Sequence, residues 1–206
     1  VVAVVLAVPL PDFGVVALLT FTDELAAVPR RVLVAGTSGS GKTTMAAKVA
    51  LVLSVQHVEM DGLYHGPDWT PRASFAGDVA RLVAGPAWVT EWQYSSVRPL
   101  LARRADLVIW LDVTTLVVMC QVTHRTLRRR YRREVLWNGN VESGLRTILT
   151  DRDHIIRWAW RTRHLTAARI DDLLRDRPDL PVVRLRTRRE AADWLNGPLR
   201  AALHRS

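Results

Sequence analysis

The 206-residue chain has one cysteine, Cys120. A single thiol cannot close an internal disulfide, so the chain is not a disulfide scaffold and suits a reducing compartment. Internal repeats and low-complexity linkers are also absent. So is a long apolar run. Val1 to Leu10 is almost wholly apolar, but Pro9, Pro11, Asp12 and Gly14 break the run before Val15, and a bilayer span takes ~20 residues. No Lys or Arg stands ahead of that run, as a secretory signal would want. These absences point to a cytoplasmic protein. Residues 1–28 read as an apolar N-terminal extension, with a short helix over about Phe13 to Ala27 packed on the domain. Apolar residues make up 49% and charged residues 24%, which excludes a disordered chain. The length suits one domain, spanning 29–206.

Acidic charge is in deficit, and the deficit is local. The net charge is +9, from 29 basic and 20 acidic side chains. Residues 1–120 hold 9 basic and 10 acidic groups, whereas residues 121–189 hold 18 and 8. The whole excess therefore sits in one stretch. Its partner is a polyanion, an acidic membrane surface or a phosphate substrate.

Short apolar runs alternate with helical stretches, the pattern of a parallel α/β sheet. Strands are predicted at Arg31–Gly36, His57–Asp61, Ala87–Trp92, Asp106–Asp112 and Pro181–Arg186. Helices are predicted at Thr43–Ser54, Pro71–Ala84, Ser95–Ala105, Thr114–Arg133, His154–Arg175 and Arg188–Leu203, with a turn at Trp137–Asn140.

Between the first strand and the first helix lies Gly36-Thr37-Ser38-Gly39-Ser40-Gly41-Lys42-Thr43. It fits G-x-x-x-x-G-K-[ST] at every fixed position and in the required context. Glycines let the backbone wrap phosphate oxygens, and the loop N–H groups and helix N-terminus supply donors. The motif gives Lys42 the β- and γ-phosphates and Thr43 a place on Mg²⁺, and Thr44 extends the phosphate-binding turn. ATP and Mg²⁺ are the expected cofactors. No Asn-Lys-x-Asp sequence is present, so a switch GTPase is excluded. The chain is also shorter than a motor ATPase core.

Three further segments come in order: Met60-Asp61-Gly62-Leu63-Tyr64-His65-Gly66-Pro67-Asp68-Trp69, Trp88-Val89-Thr90-Glu91-Trp92-Gln93-Tyr94 and Ala105 to Asp112. With the phosphate loop, they resemble the adenylate-kinase-like P-loop proteins of the DNA-topology-modulation (FlaR-related) family. The resemblance covers about residues 31–135. It implies a three-layer α/β fold of nucleotide-kinase type, with a five-stranded parallel sheet in the order 2-3-1-4-5. It also implies a mobile Arg-rich helical lid, about 121–165. The family's Asp-Gly-Asn-Tyr-like turn after strand 3 is here Glu91-Trp92-Gln93-Tyr94. Glu91 keeps an acid for a Mg²⁺-bound water, while Trp92 fills space where an acceptor would approach. Asp112 is the rival acid for the metal, and also a good helix N-cap. In the order that the resemblance implies, strand 3 lies beside strand 1, which favours Glu91.

Asp61 is placed just past strand 2, at the carboxyl end of the sheet, where open α/β sheets bind ligands. A carboxylate there suits transfer to a hydroxyl, whose proton it can accept. An Asp-Gly pair is also a common turn. His65, Arg72 and Trp69 are weaker candidates for the acceptor pocket. Arg125, Arg128, Arg129 and Arg132 share one helical face. In the kinases this chain resembles, lid arginines close over ATP and stabilise the transferring phosphoryl. Arg125 and Arg129 lead for that role, followed by Arg128 and then Arg161. The expected function is transfer of the ATP γ-phosphoryl to a small acceptor: a nucleoside, a nucleotide or another hydroxyl compound. The alternative is a nucleic-acid-associated ATP-binding protein that modulates DNA topology through the basic 121–189 segment. Against that stands the lack of any helix-turn-helix, zinc-finger or RNA-binding motif.

Overall fold

Strand β1 (Arg31–Gly36) is the middle strand of the sheet. Its Val32 to Ala35 are fully buried on both faces, as expected of an all-parallel sheet covered by helices on each side. The structure, a computed structural model, describes residues 18–132 and 164–205. The other strands are β2 (His57–Val58), β3 (Trp88–Glu91), β4 (Leu107–Leu111) and β5 (Val182–Leu185). All pairings are parallel, in the order β2-β3-β1-β4-β5, as the resemblance implies. Chain direction across the sheet reverses at β1, so a crevice opens at the carboxyl ends of β1, β3 and β4.

Alternating strand residues feed two apolar layers. Val32, Val34, Ile109 and Leu185 pack under α1 (Lys42–Leu53) and the C-terminal helices. Leu33, Ala35, Val108 and Val182 pack under α3 (Phe75–Ala84), α4 (Arg98–Arg104) and α6 (Leu165–Asp176). Between these come α2 (Met60–Tyr64), a single 3₁₀ turn at Pro67–Trp69, and α5 (Thr115–Arg132). The chain closes with α7 (Arg188–Trp194) and α8 (Arg200–Arg205).

Four expectations are corrected. Residues 18–30 form turns and one bridge rather than a helix. Leu19 N–H donates to Val182 O (2.8 Å) and Leu19 O accepts from Arg184 N–H (2.8 Å), adding a parallel bridge outside β5. Leu25 is buried in the core, so this stretch belongs to the domain. Strand 2 ends at Val58, because the Met60 N–H turns to the Glu91 carboxylate (3.0 Å) and opens α2. The helix after β3 starts at Arg98, not Ser95. Tyr94, at φ 60°, turns the chain first, and its carbonyl accepts from Val97 and Arg98 N–H (3.1 Å each). The last helix is interrupted by a wide turn at Leu195–Leu199 that carries Pro198, which has no N–H to give. The turn at Trp137–Asn140 and the first part of the helix expected from His154 lie outside the described residues.

Candidate active site

The loop after β1 closes on a turn in which Ser40 N–H donates to Thr37 O (3.0 Å). Gly39 has φ +87°, and a Cβ there would overlap Val122 Cγ2 of α5. A side chain at 39 is therefore excluded twice, by backbone and by space. Gly41, at φ +94°, precedes α1, and a Cβ on it would meet nothing within 4 Å. The cradle is thus open on that side. The first backbone bond of α1 is Met45 N–H to Gly41 O (2.9 Å), so the N–H groups of Lys42, Thr43 and Thr44 stand ahead of it. Ser40 Oγ is buried with no hydrogen-bond partner among the described residues. These donors, and the partial positive charge of a 12-residue helix, fit an oligophosphate.

Lys42 Nζ donates to Thr37 O (3.1 Å), the loop's own carbonyl. Burial lowers the Lys42 ammonium to about 8, with Asp61 and Glu91 pulling it up and Arg125 pushing it down. Those three side chains and Lys42 therefore share one electrostatic site, although they come from α1, α2, β3 and α5. Thr43 and Thr44 are exposed at the start of α1.

Glu91 ends β3 and is 1% exposed. Its Oε1 lies 3.2 Å from His57 Nε2, and its Oε2 accepts from Met60 N–H (3.0 Å). Burial pushes the Glu91 carboxyl up, but these hydrogen bonds and the His57 charge outweigh it, leaving the group below its ordinary value. The carboxylate thus clamps β2 and the start of α2 to the end of β3. Each oxygen keeps a lone pair for a further donor.

Asp61 lies in the first turn of α2, one residue beyond that clamp. Gln93 Nε2 (2.7 Å) and the Tyr94 hydroxyl (2.6 Å) both donate to its Oδ1. Among the described residues Oδ2 accepts nothing, so one oxygen is held and the other is presented. Burial, and then the charge of Asp61, push the Tyr94 phenol well above its ordinary range, so it stays a donor. Tyr94 holds this position from a left-handed backbone (φ 60°), a conformation that a tyrosine rarely takes unless its surroundings require it. Its ring stacks on Tyr64 (4.1 Å between centroids) and meets Phe75 edge-on (5.2 Å).

His65 Nε2 sits 3.3 Å from the Tyr94 hydroxyl, and Trp69 lies edge-on to the His65 ring. Arg72 turns away into an ion pair with Asp78 (3.6 Å). The Trp92 indole does not lie loose at the crevice. It packs against the second apolar layer and donates to Arg98 O (3.2 Å). Asp112 does not cap a helix: its Oδ2 accepts from Arg184 Nε (2.8 Å), and Arg184 stacks over Trp110. Arg125 is half-buried on α5 beside Lys42, and Arg128 is exposed. Arg129 belongs to the same helix. Arg161 and most of the expected lid lie outside the described residues.

His57, Gln93 and Tyr94 were not foreseen as site residues. Gln93 and Tyr94 stand in the segment that matched the family turn, which was the available signal. Among the described residues no group of three or more His, Cys, Asp or Glu forms a metal cage. No helix among them is long and apolar enough to cross a membrane.

No protein-family model and no curated protein matches the chain. Among solved structures, a gluconokinase from Sinorhizobium meliloti 1021 is 18% identical, covering 86% of this chain and 96% of its own, with a TM-score of 0.47. The shikimate kinase of Acinetobacter baumannii, in complex with shikimate, is 15% identical, covering 95% and 99%, with a TM-score of 0.45. That of Bacteroides thetaiotaomicron is also 15% identical, covering 85% and 99%, with a TM-score of 0.42.

Proposed function

We propose that the protein is an ATP-dependent kinase that phosphorylates the hydroxyl of a small molecule. One observation carries this reading: the open phosphate loop and the presented Asp61 oxygen share a site with Lys42. ATP·Mg²⁺, when bound, supplies the transferable phosphoryl and neutralises part of its charge. The backbone N–H groups of Gly39 and of Gly41 to Thr44, with the Lys42 ammonium, would hold the phosphates. Thr43, by its hydroxyl, and Glu91, by a remaining lone pair, would hold the Mg²⁺ that accompanies ATP. Asp61 Oδ2 would accept the proton of the acceptor hydroxyl as its oxygen bonds the γ-phosphorus and the bond from that phosphorus to the β-phosphate oxygen breaks, releasing ADP, while Gln93 and Tyr94 hold the carboxylate still. Arg125 stabilises charge on the transferring group, with Arg129 and Arg128 on the same helix. A panel of nucleosides, nucleoside monophosphates and small polyols tests the reading. ADP release is expected to rise with at least one acceptor. No stimulation by any hydroxyl compound, in a protein that binds ATP, would refute it.

The Lys42 ammonium sets a pH dependence. Before nucleotide binds, it loses its proton near pH 8. Phosphate oxygens favour the charged form and raise that value. Binding at or above pH 8 should therefore take up protons, about half a proton at pH 8 itself. Affinity should fall as pH rises from 8 towards the higher bound value. Calorimetry in buffers of different ionisation enthalpy reads the uptake. A proton count that stays at zero from pH 7 to 9 would contradict it.

A further inference from the structure

Three hydrogen bonds join Asp61, His65 and Tyr94 in a closed ring. The His65 N–H donates to the Asp61 carbonyl (2.9 Å) at the end of α2. The Tyr94 hydroxyl donates to Asp61 Oδ1 (2.6 Å), and His65 Nε2 lies 3.3 Å from the same hydroxyl. Backbone closes one side of the ring and side chains close the other.

The direction of the last contact follows from counting protons. A phenol has one. Burial and the charge of Asp61 keep it on Tyr94, and it points to a carboxylate, which only accepts. The Tyr94 oxygen therefore offers His65 lone pairs alone, so Nε2 must bring the proton. The other ring nitrogen, Nδ1, stands 3.5 Å from the Trp69 carbonyl, which also only accepts. A neutral ring has one proton for these two oxygens, and the shorter contact is the one to Tyr94. An imidazolium serves both. Nε2 carries a proton in either case.

The ring is held in that orientation. Tyr64 meets it edge-on at 4.9 Å between centroids, and Trp69 does so at 5.1 Å. The backbone around it is fastened by Arg72 N–H to Tyr64 O (2.8 Å), by Gly66 N–H to Thr70 O (2.7 Å) and by a bridge from His65 to Pro71. Trp69 keeps its place at φ 57°, a left-handed backbone that a bulky residue rarely takes.

We propose that His65 is a positioning residue whose Nε2–H holds the Tyr94 hydroxyl on Asp61 Oδ1, leaving Oδ2 to face the acceptor. A hydroxyl that accepts one hydrogen bond donates the next more strongly, so His65 tightens the grip of Tyr94. This role rests on the kinase reading for what Asp61 does, and not for the ring of bonds. His65 acts through Tyr94 and does not touch the acceptor.

Two substitutions separate the donor from the ring. His65→Phe keeps an aromatic ring and loses the donor, whereas His65→Gln keeps an N–H at similar reach. His65→Phe should lower kcat for a hydroxyl acceptor about three- to tenfold, the worth of one neutral hydrogen bond, while KM for ATP and for the acceptor holds. His65→Gln should recover most of that loss. In a Tyr94→Phe background, His65→Phe should cost nothing further, because the linking hydroxyl is gone. Equal losses in both His65 variants would overturn the proposal, as would losses that add in the double variant. A raised acceptor KM with unchanged kcat would also overturn it, since that marks direct contact with the acceptor. The tautomer is read without turnover, and on the wild type, so it does not depend on a variant folding. Nitrogen NMR of protein isotope-labelled at histidine, with His65→Gln identifying the signal, should show Nε2 protonated at neutral and at alkaline pH. If an acceptor is phosphorylated but Nε2 is bare, this inference fails and the kinase reading stands. If nothing is phosphorylated but Nε2 carries the proton, the kinase reading fails and the ring of bonds stands.

Discussion

Lys42→Ala is expected to lower acceptor-dependent ADP release by about 10²–10³-fold in kcat/KM, the usual cost of removing one preorganised donor from a developing charge. Nζ now rests on Thr37 O, inside the loop whose N–H groups face the same space, so it needs only a short swing to meet a phosphate. No other lysine can take its place. The chain has only one more, Lys48, which is exposed further along α1. Arg125 reaches the site from α5 and keeps some positive charge there. The fold should not suffer, because burial already disfavours the ammonium. Its pKa is held at about 8, below the ordinary value, so the charge is a burden to the folded state at neutral pH. The variant should therefore melt no lower than wild type while losing nucleotide affinity. Wild type and variant that bind a non-hydrolysable ATP analogue equally would remove the loop from the site.

Asp61→Asn should cut kcat for a hydroxyl acceptor by about 10²–10⁴-fold, the range for a positioned general base. The amide cannot take the acceptor's proton. Its neighbours can accommodate it, since the Tyr94 hydroxyl can donate to the Asn oxygen and the Gln93 amide can turn over. Nucleotide affinity should change less than kcat, because Asp61 reaches the phosphate loop only through its charge on Lys42. Steady-state kinetics with the acceptor found in the panel decide the matter. Unchanged kcat would mean that Asp61 only stabilises its turn and that the acceptor needs no base, as a phosphate acceptor would not.

Local chemistry was readable in the sequence, and long-range chemistry was not. Lys42, Thr43 and the glycines were found because eight consecutive residues carry their whole geometry. Strands β1, β3, β4 and β5 are legible because each holds a short apolar run between helical stretches. Strand 2 was read three residues too long. The stretch from His57 to Asp61 looks like a strand by residue type, but Glu91, 31 positions from Met60, captures the Met60 N–H and starts a helix. That bond moved Asp61 from a strand end onto a helix. The ion pair of Asp112 with Arg184, 72 positions away, is likewise invisible to any local pattern. The grip of Tyr94 on Asp61 depends on a left-handed tyrosine, which no residue pattern announces.

The bridge at Leu19 bears on how this sheet meets other molecules. Val182 O and Arg184 N–H point away from β4 and are taken up by Leu19, so the middle of that edge is already paired. The opposite edge, β2, is only two residues long. A sheet with one edge covered and the other this short gives a passing strand little to zip onto. Protection of the β5 edge thus depends on the Leu19 segment. A truncation beginning after Leu19 would bare the β5 edge and turn a self-limited sheet into an adhesive one.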